Sequence, residues 1–233
     1  MKSKKYEHLF FDLDRTLWDF DGNSKLTLME IFSNRKLEEK LGVDFDQFHH
    51  FYMPYNLKLW ELYKQGNIEK THLSVERFAG TLRHFGLNDS ELAAEISHDY
   101  ITISPTKTKL FQDALEVLEE LSKDYNLHII TNGFNEVQFV KIENSGLKPF
   151  FRKIITSEMI GIQKPNIEIF NFALNEANAL LEGSIMIGDD QETDIMGAMK
   201  AGMDQVFVNF HHEDLKTKAT YHIHQLKDLL SIF

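Results

Sequence analysis

The chain has no cysteine among its 233 residues, which excludes disulfide staples and thiolate metal sites and fits a reducing cytoplasm. It also lacks any apolar run near the roughly 20 residues that span a bilayer. Its opening stretch, MKSKKYEHLFFDLD, contains no long apolar segment followed by a cleavage site, so the expectation is a soluble, untargeted, cytoplasmic protein. Positive charge is in short supply: 25 Lys and Arg face 36 Asp and Glu, a net charge of −11. A surface that acidic is a poor match for a nucleic-acid polymer, and no segment suits a membrane. A small anionic ligand is compatible, provided its site supplies local positive charge. What the chain does have is apolar content, 42% of its residues, enough to bury a sizeable core as one large domain or as a core carrying a smaller one.

Residues 5–18, KYEHLFFDLDRTLW, are the stretch around which the rest can be organised. A short buried strand is predicted at residues 8–11, and it stops abruptly at Asp12-Leu13-Asp14-Arg15-Thr16. Side chains at alternate positions of an extended chain point the same way, so Asp12 and Asp14 are expected to project toward one site past the strand's carboxyl end. Two like charges held that close repel, and a divalent cation is the common remedy. A polar turn would use Asp and Thr as well, to satisfy loop backbone groups, so the decision rests on partners elsewhere in the chain.

From residue 19 to about 108 the pattern is helical, with little that reads as strand. Apolar residues recur at helical spacing at Leu26, Met29, Ile31 and Phe32 and again at Phe48, Phe51, Tyr52, Tyr55, Leu59 and Leu62. Further helices are expected over 71–85 and 89–101, the latter opened by Asn88 with Glu91 in a capping-box arrangement. That makes four helices, without repeats or low-complexity sequence. After Pro105 the texture changes to helix 109–122, strand 127–131, helix 135–145, strand 153–156, helix 166–181, strand 184–187, helix 192–201, strand 205–208 and a last helix around 226–232. Strands alternating with helices mean a parallel sheet covered on both faces. A crossover between neighbouring parallel strands needs only about a dozen residues, yet the first two strands lie far more than that apart. The surplus reads as an inserted second domain, residues 19–105, within a core made of residues 1–18 and 106–233.

In such sheets ligands gather at the carboxyl ends of the strands. Strand 127–131 ends in Thr131-Asn132-Gly133, which is either an ordinary Asn-Gly turn or a hydroxyl followed by backbone N–H groups that hold phosphate oxygens. Lys164-Pro165 places a cation where a helix begins. The helix dipole repels it there, which points to a negative ligand or carboxylate close by. Strand 184–187 runs into Gly188-Asp189-Asp190-Gln191-Glu192-Thr193-Asp194, four acids in six positions. An acidic helix start would be favoured by the dipole alone. A metal site needs hard oxygen ligands meeting those of the first strand, and Asp189 at the strand end is best placed to supply one. Asp194, one helical turn in, would orient a ligand, a metal-bound water or Lys164.

In this order, DxDxT at residues 12–16, Thr131 with Asn132-Gly133, Lys164-Pro165, and Gly188-Asp189 with a later Asp194 resemble the haloacid dehalogenase-like superfamily over almost the whole chain. The resemblance implies an α/β, Rossmann-like, three-layer parallel-sheet core with an inserted, mobile helical-bundle cap. It also implies Mg2+-dependent phosphoryl transfer through an aspartyl-phosphate intermediate. Carried over by position, Asp12 would be the nucleophile, and Asp14 the acid that protonates the leaving oxygen and later activates water. Thr131, Asn132, Gly133 and Lys164 would surround the phosphoryl group; Asp12, the Asp14 carbonyl oxygen and Asp189 would hold Mg2+; Asp194 would stand behind them and Thr16 would steady the loop. A carboxylate can attack an anionic phosphate only if the charge between them is offset, as Mg2+ and Lys164 would do. Arg15 stands where the family frequently has Gly. Asp190 and Glu192 are additional acids without an assigned role, and one of them could replace Asp189 on the metal.

The second acid, Asp14, separates phosphatases from the 2-haloacid dehalogenases that named the superfamily, which lack it. A sugar-phosphate mutase uses the same acid. A phosphoacceptor receiver domain also uses Asp, Thr and Lys, but its acceptor lies mid-domain and it carries no large insert. A silent binding protein is disfavoured because every catalytic position is filled. A cap of about ninety residues should exclude macromolecules, leaving small phosphomonoesters. Trp18-Asp19-Phe20 and the size of the cap are similar to the pyrimidine 5′-nucleotidases of the superfamily. The expected substrate is therefore a nucleoside 5′-monophosphate, with phosphoglycolate or another sugar phosphate as the alternative. The aromatics Phe45, Phe48, Phe51, Tyr52, Tyr55, Trp60 and Tyr63 could stack on a base but read mainly as cap core. The adjacent pairs His49-His50 and His211-His212 diverge along any regular backbone, so they read as surface positions and not as metal ligands.

Overall fold

A computed structural model describes residues 5–233. After β1 (His8–Phe11) the chain passes through α1 (Phe20–Asn34), α2 (Leu37–Leu41), α3 (Phe45–Lys64), α4 (Lys70–His84) and α5 (Ser90–Ile103) before a second strand appears. Then follow α6 (Ala114–Leu121), β2 (Asn126–Thr131), α7 (Asn135–Asn144), β3 (Phe151–Thr156), α8 (Ile167–Ala177), β4 (Ser184–Gly188), α9 (Gly197–Lys200), β5 (Asp204–Val208), β6 (Tyr221–Ile223) and α10 (Leu229–Ile232). The six strands form one sheet in the order β3-β2-β1-β4-β5-β6, and every pairing is parallel.

Helices cover both faces of the sheet, and alternation along the strands shows how. Leu9 and Phe11 of β1, Leu127 and Ile129 of β2, Ile185 and Ile187 of β4 and Val206 and Val208 of β5 pack with Val117, Leu118 and Leu121 of α6, Ile142 of α7 and Leu229 of α10. The intervening Phe10, Ile130 and Met186 pack with Ile169, Phe170 and Ala173 of α8 and Ala198 of α9. Strands buried on two faces must be apolar at successive positions, which is why β1, β4 and β5 carry continuous apolar runs in the sequence and the run in β2 is interrupted only by His128.

Residues up to Phe20 together with Thr108–Phe233 form one compact unit, and Asp21–Lys107 form the other. The second unit is helical, with a core of Leu28, Ile31, Leu37, Phe48, Tyr52, Phe78, Ile96 and Tyr100 among others. Trp18 and Phe20 stay with the sheet: Trp18 is fully buried in its core and forms an isolated antiparallel bridge with Leu110, while the Asp19 N–H donates to the Lys109 carbonyl at 3.1 Å. That bridge also explains why the expected helix 109–122 starts only at Ala114, after Asp113 takes a positive φ of 63°. The helical unit holds one helix more than the sequence pattern indicates, because α2 spans only five residues. Helix α5 is capped by Asp89, whose side chain accepts the Leu92 N–H at 2.9 Å, one residue later than the expected Asn88–Glu91 box. Of the aromatics considered for base stacking, Phe48 and Tyr52 are core, whereas Phe45, Phe51, Tyr55, Trp60 and Tyr63 are half-buried.

A buried histidine, His128, paired with the half-buried His8, carries a consequence for stability. His8 of β1 reaches across to His128, which lies opposite Phe10 on β2, with His8 Nδ1 3.0 Å from His128 Nε2 and the His128 ring stacked on Phe10. Burial lowers the His128 imidazole to about 3, and the neighbouring His8 pushes the same way. Its neutral form therefore contributes stability that is complete above the unfolded value near 6.5 and is lost as pH falls toward 3. At about pH 5 the loss is about 2 kcal/mol. In urea titrations the stability difference between the parent and His128→Gln is expected to shrink by about that amount between about pH 7.5 and 5. A difference independent of pH would show that the ring titrates normally.

Candidate active site

The carboxyl ends of β2, β1 and β4 are neighbours in the sheet, and the chain changes direction across it there, on either side of β1. Such a switch point is where doubly wound sheets bind ligands. Asp12 follows β1 and remains in register, its N–H donating to the Ile187 carbonyl at 2.9 Å. Thr131 ends β2, and Asp189 follows the last residue of β4. Lys164 reaches the same place from the loop before α8. The Asn132 side chain grips its backbone from both sides, Oδ1 accepting the Lys164 N–H at 2.9 Å and Nδ2 donating to the Lys164 carbonyl at 3.0 Å.

The Lys164 ammonium is buried and all three of its donors are used: Asp12 Oδ1 at 2.6 Å, Asp194 Oδ1 at 2.6 Å and the Ile130 carbonyl at 2.9 Å. The other Asp194 oxygen accepts the Asp190 N–H at 3.1 Å. Gly188 makes this approach feasible, since a Cβ at that position would overlap the Asp194 carboxylate. Asp189 is held from the first loop. Thr16 Oγ1 donates to Asp189 Oδ1 at 2.9 Å and accepts the Asp189 N–H at 3.1 Å.

Asp12, Asp189 and Asp194 each bring one oxygen to within 4.8 Å of the others. Burial pushes the Asp12 carboxyl up to about 7 against the pull of Lys164, and burial with the two neighbouring acids raises Asp189 well above the carboxylate range. Burial raises Asp194 as well, again opposed by Lys164. For Lys164 the balance is reversed: burial would lower it, but Asp12 and Asp194 overcome that and hold it above an ordinary lysine. One ammonium thus pairs with two of the three clustered carboxylates, and the cluster has excess negative charge in a dry place. A donor set of carboxylate oxygens alone fits a hard divalent cation such as Mg2+. Asp194 has a hydrogen bond on each of its oxygens, whereas Asp12 and Asp189 have one on Oδ1 alone, so these two are the acids best placed to offer an oxygen to a cation.

Asp14 lies outside that cluster, because β1 ends at Phe11 and strict strand alternation does not extend to it. The backbone turns instead, with the Trp18 N–H on the Leu13 carbonyl and Arg15 at φ 67°, and the Asp14 carboxylate meets Gln138 and Lys141 of α7. The left-handed conformation at Arg15 is one that glycine adopts without cost; here the guanidinium lies over the Phe20 ring, 4.6 Å from its centre. Gly133 directs its N–H to Thr131 Oγ1 at 3.2 Å. Asp190 is a cap, its Oδ1 accepting the Glu192 and Thr193 N–H groups, both at 2.9 Å. His50, His211 and His212 are exposed, and among the described residues no histidine joins a metal-binding cluster.

Sequence patterning alone misses Gln138 and Lys141. The available signal is subtle: a Lys and a Gln one turn apart on the same face of a helix, placed just after a strand-end Thr-Asn-Gly.

Residues 9–208 match the family model described as haloacid dehalogenase-like hydrolase. The chain is 32% identical over 229 residues to a pyrimidine 5′-nucleotidase, PynA, of Streptococcus pneumoniae, covering 97% of this chain and 94% of that protein. It is 31% identical over 202 residues to a glyceraldehyde 3-phosphate phosphatase of Methanothermobacter thermautotrophicus, covering 86% of this chain and 84% of the relative. Among solved structures, the magnesium-bound hydrolase YfnB of Bacillus subtilis is similar with a TM-score of 0.89 and 28% identity, over 98% of this chain and 99% of that one.

Proposed function

The chain belongs to the haloacid dehalogenase-like hydrolases, and from that premise we propose that it is a Mg2+-dependent phosphatase acting on small phosphomonoesters through an aspartyl-phosphate on Asp12. The observation that carries this reading is the buried Asp12–Lys164–Asp194 triad with Asp189 beside it, at the carboxyl edge of the sheet. Lys164 takes one Asp12 oxygen and leaves the other for in-line attack on phosphorus. Asp14 donates a proton to the departing ester oxygen and then takes one from the water that attacks the acyl phosphate, so a single group serves both displacements. The Thr131 hydroxyl donates to a phosphoryl oxygen. Lys164 offsets charge and aims Asp12 while Asp194 and Asn132 hold it. When bound by Asp12, the Asp14 carbonyl and Asp189, Mg2+ would supply charge neutralisation for the transferring group.

Nucleoside 5′-monophosphates are the favoured substrates, supported by the nucleotidase relative. The glyceraldehyde 3-phosphate phosphatase relative supports a second reading, a sugar phosphate. Phosphate release is to be measured over both series, with phosphoglycolate and a 2-haloacid included, in Mg2+ and in chelator. Pyrimidine nucleotides are expected to lead, halide to stay absent, and chelator to cut the rate at least about 100-fold, the effect of losing several kcal/mol of charge stabilisation. Chelator-resistant release would remove the metal from the reading, and a flat nucleotide series would remove the substrate.

A further inference from the structure

Gln138 and Lys141 have no part in the roles assigned above, yet both are buried polar side chains at the site, one turn apart on α7. Gln138 Nε2 carries two protons and has two acceptors, Thr131 Oγ1 at 2.6 Å and Asp14 Oδ2 at 2.8 Å. Lys141 Nζ bonds the other Asp14 oxygen at 2.6 Å and lies 4.1 Å from the centre of the Trp18 ring and 5.5 Å from that of Phe20. A cation is thus enclosed between an aromatic face and a carboxylate, which fixes its position.

The consequence for Thr131 follows from counting lone pairs. Its hydroxyl has two acceptor sites and one proton. Gln138 Nε2 and the Gly133 N–H donate to the oxygen, so the remaining function is the proton, directed away from both. Gly133 belongs to the same arrangement, because a Cβ there would overlap the Gln138 side chain. Asp14 is held from one side in a comparable way: each carboxylate oxygen can accept twice, and the donors on α7 take one place on each.

We propose that Gln138 and Lys141 are positioning residues, through which α7 sets the Thr131 proton toward the phosphoryl group and the Asp14 carboxyl toward the ester oxygen. This rests on the phosphatase reading of the site. In the first displacement the Asp12–phosphorus bond forms, the ester oxygen–phosphorus bond breaks, and the Asp14 proton goes to that oxygen. In the second, water bonds to phosphorus, the Asp12–phosphorus bond breaks, and a water proton returns to Asp14. Neither Gln138 nor Lys141 exchanges a proton.

The test compares two esters. An alkyl phosphate such as a nucleoside 5′-monophosphate leaves as a strongly basic oxygen and needs the acid; p-nitrophenyl phosphate leaves as a weakly basic phenolate and needs little help. Lys141→Met is expected to lower kcat/KM about 10- to 100-fold for the alkyl ester and less than about threefold for the aryl ester. Added to Asp14→Asn it should cost nothing further, because it acts through Asp14. Gln138→Met, similar in length, should show the same ester preference and also weaken competitive inhibition by inorganic phosphate, which Lys141→Met leaves alone. It provides the test if Lys141→Met does not fold. Equal losses on both esters, or a full additional loss on Asp14→Asn, would overturn the proposal. A parent enzyme inactive on both esters would instead defeat the phosphatase reading, and the positioning role with it.

Discussion

Asp12→Asn is expected to lose phosphate release by at least about 10⁴ in kcat while the folded protein becomes more stable, the scale of loss seen when a nucleophile is removed from an enzyme whose other groups act with it as a unit. Both halves follow from one geometry. The amide keeps an oxygen for Lys164 Nζ, now 2.6 Å away, so the substitution removes a charge and a nucleophile without emptying the space. Burial raises the Asp12 carboxyl to about 7, so its ionised form is unfavourable in the folded chain. The sign for stability is the reverse of the usual surface carboxylate. The penalty is absent below the unfolded value of 3.8 and grows as pH rises toward 7, and at neutral pH the neutral amide escapes it. The gain in metal-free buffer is on the order of a few kcal/mol, less whatever pairing Lys164 forgoes. Steady-state rates and urea melts at about pH 7.5 and 5 read the two effects separately. A variant that is inactive and also less stable at neutral pH would mean that Asp12 is held as a well-compensated ion, in which case its charge is not the strained feature of the site.

That opposition between function and stability explains which parts of the molecule were legible in the sequence. Strands β1, β2, β4 and β5 are visible because two-sided burial demands largely apolar runs, interrupted in β2 only by His128, and the acids that end two of them stand out against those runs. Asp12, Lys164, Asp189 and Asp194 are polar where burial should forbid it, so their placement could be anticipated; their meeting at one point depends on the sheet order, which brings β1 and β4 together. The short elements are less visible. β6 has three residues with one side chain turned inward, and α2 has five, too few for either periodicity to register. The expected helix over 192–201 is a wide turn over Gln191–Met196 followed by α9, because the Asp190 side chain caps the Glu192 and Thr193 N–H groups and Asp194 must reach Lys164. Gln138 and Lys141 were hidden for a different reason. On a helix a Gln and a Lys read as a solvated face, and only the tertiary contact with Asp14 shows that this face is turned inward. The pattern marks Asp14 as a polar end to β1, but not its partners, since β1 stops at Phe11 and the contacts with Gln138 and Lys141 come from α7.

Lys164→Met is expected to do the opposite of Asp12→Asn: abolish activity and destabilise the fold, by about 3–5 kcal/mol at neutral pH, the usual cost of removing one partner from a buried ion pair. The ammonium is the group that Asp12 and Asp194 both bond, and it also satisfies the Ile130 carbonyl. Without it two buried carboxylates face each other and Asp189 with no cation between them. They respond by taking up protons, so the loss should be largest at about pH 8 and should shrink as pH falls and the acids become neutral. Divalent metal should recover part of the stability, since it supplies charge to the same oxygens, whereas in the parent its stabilising effect should be smaller. Combining the two substitutions discriminates between packing and charge. If Lys164 matters mainly by filling space, Lys164→Met should cost as much in an Asp12→Asn background as in the parent. If it matters because it keeps Asp12 ionised, the double variant should lose clearly less than the single one, the difference being the coupling between a nucleophile and the cation that makes it usable.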